Sequence, residues 1–216
     1  MSVAARPEPV LVTDPESFAA ASGATAAQVA DLERYRQLLG EWNEVMNLVG
    51  PATLPDFWNR HAWDSAQLLR LDPQAGTWAD LGAGAGLPGV VLAILGKGRN
   101  GFHVHLVESM AKRCRFLVEV AAVLDLPVTI HNERAENLKL VVDSVTARAC
   151  APLQRLLGYA RPYLATGATG WFLKGQDVAS ELEEATRYWK FEAEIVPSLS
   201  DPRGRIVRVR RLGRAR

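Results

Sequence analysis

Apolar side chains recur at helical spacing through the first 72 residues, and this pattern predicts helices before any strand. After Thr25 they fall three or four positions apart up to Met46, and a further helical stretch is expected over residues 53–72. Capping boxes at the helix starts are predicted in Thr13-Asp14-Pro15-Glu16 and in Thr25-Ala26-Ala27-Gln28. We therefore expect a helical N-terminal part, residues 1–72, packed on the rest of the chain.

Beyond residue 72 the pattern changes to short apolar runs separated by segments of helix length. The runs lie near 77–81, 102–107, 127–131, 142–147 and 169–173, an arrangement typical of βαβ units on a parallel sheet. Two later apolar stretches, 191–196 and 205–209, enclose a segment rich in turn residues and predict an antiparallel hairpin. Residues 73–216 are thus expected to form an α/β, Rossmann-like domain with a mostly parallel seven-stranded sheet.

The composition narrows the class of protein. A chain of 216 residues that is 48% hydrophobic can bury a substantial core. Cys114 and Cys150 are too few for a disulfide framework or a thiolate zinc site, and no other group of residues resembles a metal site. The segment after Met1 lacks a secretory pattern, and no apolar run is long enough to span a membrane. We expect a soluble cytoplasmic protein without a metal.

Basic charge is concentrated at the end of a nearly neutral chain. The formal net charge is +1, yet residues 203–216 contain seven arginines and no acidic residue. Such segregation favours a surface that binds phosphates, because each neutralised phosphate releases counterions. An ordinary solvated tail explains the same pattern, so both interpretations stay open.

A glycine-rich segment follows the first apolar run. Residues 77–89 read Thr-Trp-Ala-Asp-Leu-Gly-Ala-Gly-Ala-Gly-Leu-Pro-Gly, which suits a strand-to-helix turn lying against a ligand. The pattern fits a dinucleotide such as NAD, but Asp80 would repel a pyrophosphate and Pro88 lacks an N–H group to bind one. S-adenosylmethionine (SAM), which is cationic and has no phosphate, fits better. NAD and a purely structural turn remain as alternatives.

Glu108 follows the second apolar run, 26 residues after Gly82. A carboxylate there can accept hydrogen bonds from both hydroxyls of a ribose, in SAM sites and NAD sites alike. It can also cap the helix predicted to begin near Ser109. Glu108 therefore indicates a nucleoside without identifying it.

Several short motifs occur in order along most of the chain, from about Leu32 to Val209. They are Trp42-Asn43 with Asn47-Leu48, Arg60-His61 with Asp64-Ser65, the glycine loop 80–89, Lys112-Arg113 with Phe116-Leu117, Arg134-Ala135-Glu136, Arg148-Ala149-Cys150-Ala151, and Leu173-Lys174-Gly175-Gln176. In this combination the chain resembles the RsmG (GidB) family, bacterial methyltransferases that methylate N7 of a guanine in the 530 loop of 16S ribosomal RNA. The resemblance implies a class I SAM-dependent methyltransferase fold.

The resemblance also implies site residues. Together with the residue chemistry above, it assigns SAM binding to Asp80, Gly82, Gly84, Gly86, Leu87, Glu108, Ala135, Glu136 and Arg148. Arg148 would bind the methionine carboxylate or order the loop beside the methyl group. Contacts with RNA are expected from Arg60, His61, Lys112, Arg113 and Lys174. A buried structural role is an equal alternative for His61.

The implied reaction transfers a methyl group from SAM to guanine N7. That nitrogen carries a lone pair and no proton, so no general base is needed and no catalytic residue is assigned. The expected partner is 16S ribosomal RNA or a small-subunit particle, bound by a monomer. Alternatives are a ribosome-assembly factor that binds SAM without transfer, and a SAM methyltransferase with another RNA or a small molecule as substrate.

Overall fold

The computed structural model describes residues 10–215. The start of the chain at Met1 and the last arginine of the basic segment, Arg216, lie outside the described residues. The helices are α1 (Pro15–Ser22), α2 (Ala26–Asn43), α3 (Asp64–Leu71), α4 (Gly89–Gly96), α5 (Ala111–Leu124), α6 (Leu153–Leu164) and α7 (Val178–Thr186). The strands are β1 (Thr77–Leu81), β2 (His103–Val107), β3 (Val128–His131), β4 (Ser144–Arg148), β5 (Thr169–Lys174), β6 (Trp189–Pro197) and β7 (Arg205–Arg214). A π-helix, Trp58–Trp63, leads directly into α3, and 3₁₀-helices occupy Pro51–Thr53 and Ala135–Asn137.

Two capping boxes begin the N-terminal helices, and one differs by a residue from the prediction. Thr25 caps α2 and pairs reciprocally with Gln28, as expected. At α1 the cap is Asp14, not Thr13: its carboxylate accepts from the Ser17 amide at 2.8 Å, and the Ser17 hydroxyl accepts from the Asp14 amide at 3.1 Å. Aspartate is the stronger acceptor at this position, so the helix begins one residue later than predicted.

The helix α2 ends at Asn43, three residues before the predicted Met46. The Asn43 side chain accepts hydrogen bonds from the amides of Leu48 and Val49, at 2.8 and 3.0 Å, and so closes a turn. Val45, expected on the apolar face of the helix, is 80% exposed. A local side-chain bond to the backbone replaces the last helical turn.

The seven strands of the described residues form one sheet in the order β3-β2-β1-β4-β5-β7-β6. Strands β1 to β5 are mutually parallel, and β7 pairs antiparallel with β5 and β6. This confirms the predicted sheet and its C-terminal hairpin. One expectation was wrong: between β3 and β4 only the short 3₁₀-helix Ala135–Asn137 forms, where a full helix was predicted.

Hydrophobic cores cover both faces of the sheet. One contains α1 to α5 packed on side chains such as Trp78 and Leu106, and the other contains α6 and α7 packed on Leu81 and Phe172. The N-terminal helices share the first core with the strands, so this core holds the segment before β1 against the sheet. Among residues 10–215, no helix has the length and apolar character needed to cross a membrane. The division at residue 72 stays a prediction.

Candidate functional site

A cavity of about 860 Å³ lies at the carboxyl ends of β1, β4 and β5. One wall consists of the glycine loop after β1, Arg148 at the end of β4, and residues 174–177 after β5. A second wall consists of residues from the segment 48–64 and of residues 200–204 between β6 and β7. Arg148 joins the two walls, because it contacts Arg60 and His61 directly. Ligands of parallel α/β sheets bind at this edge, so the cavity is the candidate site.

The glycine loop follows β1 with a backbone that requires glycine at particular positions. Gly82 has φ +68°, and a Cβ atom there would lie 2.6 Å from Cys150 Sγ. Gly86 has φ +85°, and its Cβ would lie 2.4 Å from the Val90 side chain. Both positions combine a left-handed backbone with a close contact, so both require glycine. A side chain at either one would prevent the loop from packing against the turn that follows β4 and against α4.

The amides of this loop donate to acceptors within the protein. Gly82 and Ala83 both donate to the Val107 carbonyl, at 2.8 and 3.0 Å. Gly84 donates to Glu108 Oε2 at 3.0 Å, and Gly89, at the start of α4, donates to Asp80 Oδ2 at 2.8 Å. A pyrophosphate cradle needs free amides and no carboxylates beside them. The loop therefore favours a ligand without phosphate groups, as the sequence predicted.

Asp80 is fully buried beneath the loop. Burial raises the pKa of Asp80 to about 7, although the hydrogen bond from Gly89 and the charge of Arg148 act in the opposite direction. Its second oxygen, Oδ1, has no hydrogen-bond partner. A cationic group nearby would stabilise the ionised form of this carboxyl.

Glu108 joins the glycine loop to the start of α5. In addition to Gly84, it accepts from the Met110 amide at 2.7 Å and lies 3.8 Å from the Arg113 guanidinium. The helix begins at Ala111 with Met110 as its cap residue, so Glu108 is not the cap. Its side chain is only 4% exposed, and protein donors already hold both oxygens.

Arg148 connects the sheet to the π-helix. Its guanidinium donates to the Arg60 carbonyl at 2.8 Å and to His61 Nδ1 at 3.0 Å, and lies 3.4 Å from Asp64. The side chain keeps 18% of its surface exposed and lines the cavity. Arginine presents its donors in a planar fork, so these contacts fix the direction of the whole group.

Two predicted RNA contacts are engaged with other protein groups. His61 is 5% exposed, and burial together with the charges of Arg148 and Arg60 lowers its pKa to about 3. The Lys174 ammonium donates to the Ala151 carbonyl at 2.8 Å and pairs with Glu181 at 2.6 Å. Both residues line the cavity, yet neither presents an unpaired charge there.

Of the remaining predicted residues, some line the cavity and others lie outside it. Arg60 is exposed, Arg113 is half-buried, and both line the cavity, whereas Lys112 is exposed on α5 outside it. Ala135 and Glu136 form the 3₁₀-helix after β3 and do not line the cavity. The Ala135 carbonyl accepts from the Tyr163 hydroxyl at 3.0 Å, and Glu136 has a 38% exposed side chain.

Sequence reasoning missed much of the second wall. The loop between β6 and β7 reaches the cavity because Asn59 donates to the Ser200 carbonyl at 3.0 Å and Gln67 accepts from the Leu199 amide at 2.9 Å. These contacts span more than 130 positions, and the sequence signalled only a turn there. In residues 10–215, no three His, Cys, Asp or Glu side chains are grouped as a metal site.

The strand order with its antiparallel β7, and a glycine loop after β1 that suits a cationic nucleoside without phosphate, define the class I SAM-dependent methyltransferases. Solved structures have the same fold. A SAM-dependent methyltransferase from Aquifex aeolicus matches with a TM-score of 0.54 at 15% identity, over 77% of this chain and 96% of that one. A variant of MtNAS in complex with S-adenosylmethionine matches with a TM-score of 0.55 at 15% identity, over 92% and 84%.

Sequence comparison identifies the family. The family model described as rRNA small subunit methyltransferase G matches residues 28–207. A ribosomal RNA small subunit methyltransferase G from Caulobacter sp. (strain K31) is 68% identical over 98% of this chain and 97% of its own length. One from Methylorubrum populi is 50% identical over 87% and 90%. The chain belongs to the rRNA small subunit methyltransferase G family, and the resemblance seen in the sequence is confirmed.

Proposed function

We propose that this protein transfers a methyl group from SAM to N7 of a guanine in the 530 loop of 16S ribosomal RNA. Family membership supports a small-subunit RNA substrate and SAM as the methyl donor. The observation that carries the proposal is the two-walled cavity, in which the glycine loop belongs to one wall, residues 48–64 and 200–204 form the second wall, and Arg148 joins the two. One wall holds the cofactor and the other receives the base.

Residues in and directly beneath the first wall match the chemical groups of SAM. When bound, SAM supplies an electrophilic methyl group on a positively charged sulfur. We assign the ammonium of the cofactor to Asp80, whose buried carboxyl lacks a partner on one oxygen. Arg148 would receive the methionine carboxylate. Leu87 would supply an apolar contact at the edge of the loop.

Glu108, Ala135 and Glu136 would bind the adenosine end of SAM. The ribose hydroxyls would donate to Glu108, whose oxygens each keep lone pairs beyond the amides they already accept. The short 3₁₀-helix after β3 would contact the adenine. In this helix Ala135 is buried and Glu136 is exposed. Gly82 and Gly84 line the cavity and would lie close to the cofactor, whereas Gly86 would support the loop from behind through its contact with Val90.

Positioning is sufficient for this reaction. Guanine N7 offers an in-plane lone pair without a proton to remove, so the protein needs to align the nitrogen with the methyl carbon. Holding two reactants in a near-attack geometry contributes roughly 7–11 kcal/mol to a lowered barrier. N7 faces the major groove, which is deep and narrow in A-form RNA, so a looped or flipped-out guanine is the substrate we propose.

Cations around the cavity would bind the RNA backbone. Arg60 and Arg113 line the cavity, and Lys112 is exposed on the same helix as Arg113. Lys174 and His61 would act indirectly, because their polar atoms already contact protein groups. We further propose that the protein is a cytoplasmic monomer and that residues 1–72 and 73–216 form its two parts.

Mapping 7-methylguanine in 16S RNA tests the function. RNA from cells with and without this gene is cleaved chemically at the modified base, and the deletion strain is complemented with the wild type, with Arg148→Ala, or with Arg155→Ala. We expect the modification to disappear on deletion and to return with the wild type and Arg155→Ala only. Arg155 is an exposed arginine on α6 and serves as the matched control.

Each alternative predicts a different result. Modification that is unchanged in the deletion strain would refute the proposed target and favour another substrate. A protein that binds SAM and RNA but transfers no methyl group in vitro would be an assembly factor. Binding of NADH without binding of SAM in a titration would exclude the methyltransferase reaction altogether.

A further inference from the structure

A series of hydrogen bonds runs from Arg148 to the Gly50 carbonyl in the second wall of the cavity. Arg148 contacts His61 Nδ1 at 3.0 Å, and His61 Nε2 lies 2.9 Å from the Thr53 hydroxyl. Thr53 in turn donates to the Gly50 carbonyl at 2.7 Å. Three of these four residues belong to the segment that precedes α3, and all four line the cavity. We call this series the Arg148–Gly50 relay.

The direction of every proton in the relay follows from Arg148. A guanidinium can only donate, so His61 Nδ1 must accept and cannot carry a proton. The neutral imidazole then carries its proton on Nε2 and donates to Thr53. The Thr53 hydroxyl, having accepted, donates to the Gly50 carbonyl, which agrees with the 2.7 Å distance. A protonated imidazole at His61 would break the first link.

Burial keeps the relay in this state. His61 is 5% exposed, and the cations that face it are Arg148 and Arg60, both of which oppose protonation. The carboxylate of Asp64 also contacts the Arg148 guanidinium that binds His61. The other Arg148 contacts, Arg60 O and Asp64, involve Nη1, whereas His61 binds Nη2. Among these contacts of Arg148, His61 is therefore the one that holds Nη2.

We propose that His61 is a positioning residue, which orients Arg148 for the cofactor through its Nδ1 atom and is itself oriented by Thr53. The proposal rests on the function proposed above, in which Arg148 binds SAM. It gives a role to a histidine that lies buried beside two arginines, a setting that opposes a charged contact with RNA. It also makes Gly50 and Thr53, which belong to the second wall, part of the cofactor site.

Two substitutions of His61 separate its two nitrogens. In His61→Asn the side-chain oxygen occupies the place of Nδ1 and still accepts from Arg148. In His61→Gln the amide nitrogen occupies the place of Nε2 and still donates to Thr53, but no acceptor faces Arg148. SAM affinity is measured by calorimetry without RNA, alongside the melting temperature and the kcat and KM for SAM.

We expect His61→Gln to weaken SAM binding about tenfold, the factor that removal of one charge-assisted hydrogen bond predicts. The change should appear mainly in KM, and His61→Asn should stay within about threefold of the wild type on the same basis. Thr53→Val should weaken binding and Thr53→Ser should not, because only valine lacks the hydroxyl. His103→Gln is the control, since His103 contacts Thr129 at the far end of β2.

Equal SAM affinity in the wild type, His61→Gln and Thr53→Val would overturn the proposal. A decrease that follows the melting temperature equally in His61→Asn and His61→Gln would also overturn it, because it would mean a structural role only. A wild-type protein that does not bind SAM would instead refute the proposed function. The Thr53 pair gives the answer if neither His61 variant folds.

Discussion

At the scale of single residues, the contact between Gly82 and Cys150 limits what the glycine loop can accept. Gly82→Ala should destabilise the protein by about 2–3 kcal/mol, because alanine is strained at φ +68° and its Cβ would lie 2.6 Å from the thiol sulfur. The displaced turn begins one residue after Arg148, so SAM affinity should fall too. Denaturant unfolding and calorimetry measure the two effects.

The double variant Gly82→Ala with Cys150→Ala isolates the steric part. Removing the sulfur should restore most of the stability and leave a deficit of roughly 1 kcal/mol from backbone strain. Cys150→Ala alone is the control. If the double variant were as unstable as Gly82→Ala, the thiol would not be the cause.

The buried carboxyl of Asp80 gives the folded protein a specific pH dependence. Its pKa is raised from 3.8 to about 7, so the folded state holds a proton between these values that the unfolded state releases. Stability should therefore decrease as pH rises from about 4 to about 7, by a few kcal/mol in total. Asp80→Asn keeps an acceptor for the Gly89 amide and has no such titration.

Urea unfolding of wild type and Asp80→Asn at pH 5, 6, 7 and 8 measures this difference. We expect the wild type to lose stability relative to the variant up to pH 7 and little beyond it. The contributions of all other titrating groups cancel in the difference between the wild type and the variant. Parallel curves would mean that Asp80 ionises normally in the folded protein.

At the scale of elements, Gln67 on α3 holds the loop between β6 and β7. It is 1% exposed, donates to Ser198 Oγ at 3.1 Å and accepts from the Leu199 amide at 2.9 Å. Gln67→Ala should cost about 2–3 kcal/mol, because it removes buried hydrogen bonds and leaves their partners unsatisfied. It should also mobilise residues 198–204 and weaken RNA binding more than SAM binding.

Hydrogen exchange at the Leu199 amide and filter binding of RNA test this expectation. Gln74→Ala is the matched control, since Gln74 is exposed just after the same helix. Unchanged exchange at Leu199 in Gln67→Ala would show that other contacts hold the loop.

The elements that the sequence predicted well are those with strong local patterns. Six of the seven strands lie within two residues of their expected bounds, because an apolar run marks each of them. The seventh, β7, begins at the expected residue but continues five residues past the predicted end, to Arg214. The end of α2 was mispredicted because it depends on one side chain, Asn43, that bonds amides five and six residues ahead. Between β3 and β4 the chain forms only the 3₁₀-helix Ala135–Asn137, for which apolar spacing gave no signal.

At the scale of the whole molecule, only one part of the cavity could be predicted. The glycine loop and Arg148 are marked by local motifs at strand ends, and the structure brings them to one wall. The second wall depends on pairs such as Asn59 with Ser200, which are 141 positions apart. Hydrophobic periodicity describes single elements and carries no information about such pairs.

The basic segment at the end of the chain is mostly strand. Residues 205–214 form β7, and two of its arginines, Arg208 and Arg211, pair with Glu194 and Glu192 on β6. The segment therefore neutralises acidic neighbours, and its net field is smaller than the sequence suggested. This favours the region around the cavity mouth as the main RNA contact.

The salt dependence of RNA binding distinguishes the two surfaces. Lys112→Ala with Arg113→Ala should lower the slope of log Kd against log salt by roughly 0.7–0.9 for each phosphate that the protein no longer neutralises. The matched variant removes three charges from β7 and keeps the backbone pairing of the strand; it combines Arg210→Gln, Arg211→Gln and Arg214→Gln. We expect it to change the slope less than the first variant does. SAM affinity is measured in parallel, because Arg113 lies near Glu108. The reverse order of slopes would identify β7 as the RNA anchor and would move the substrate path to the hairpin edge of the sheet.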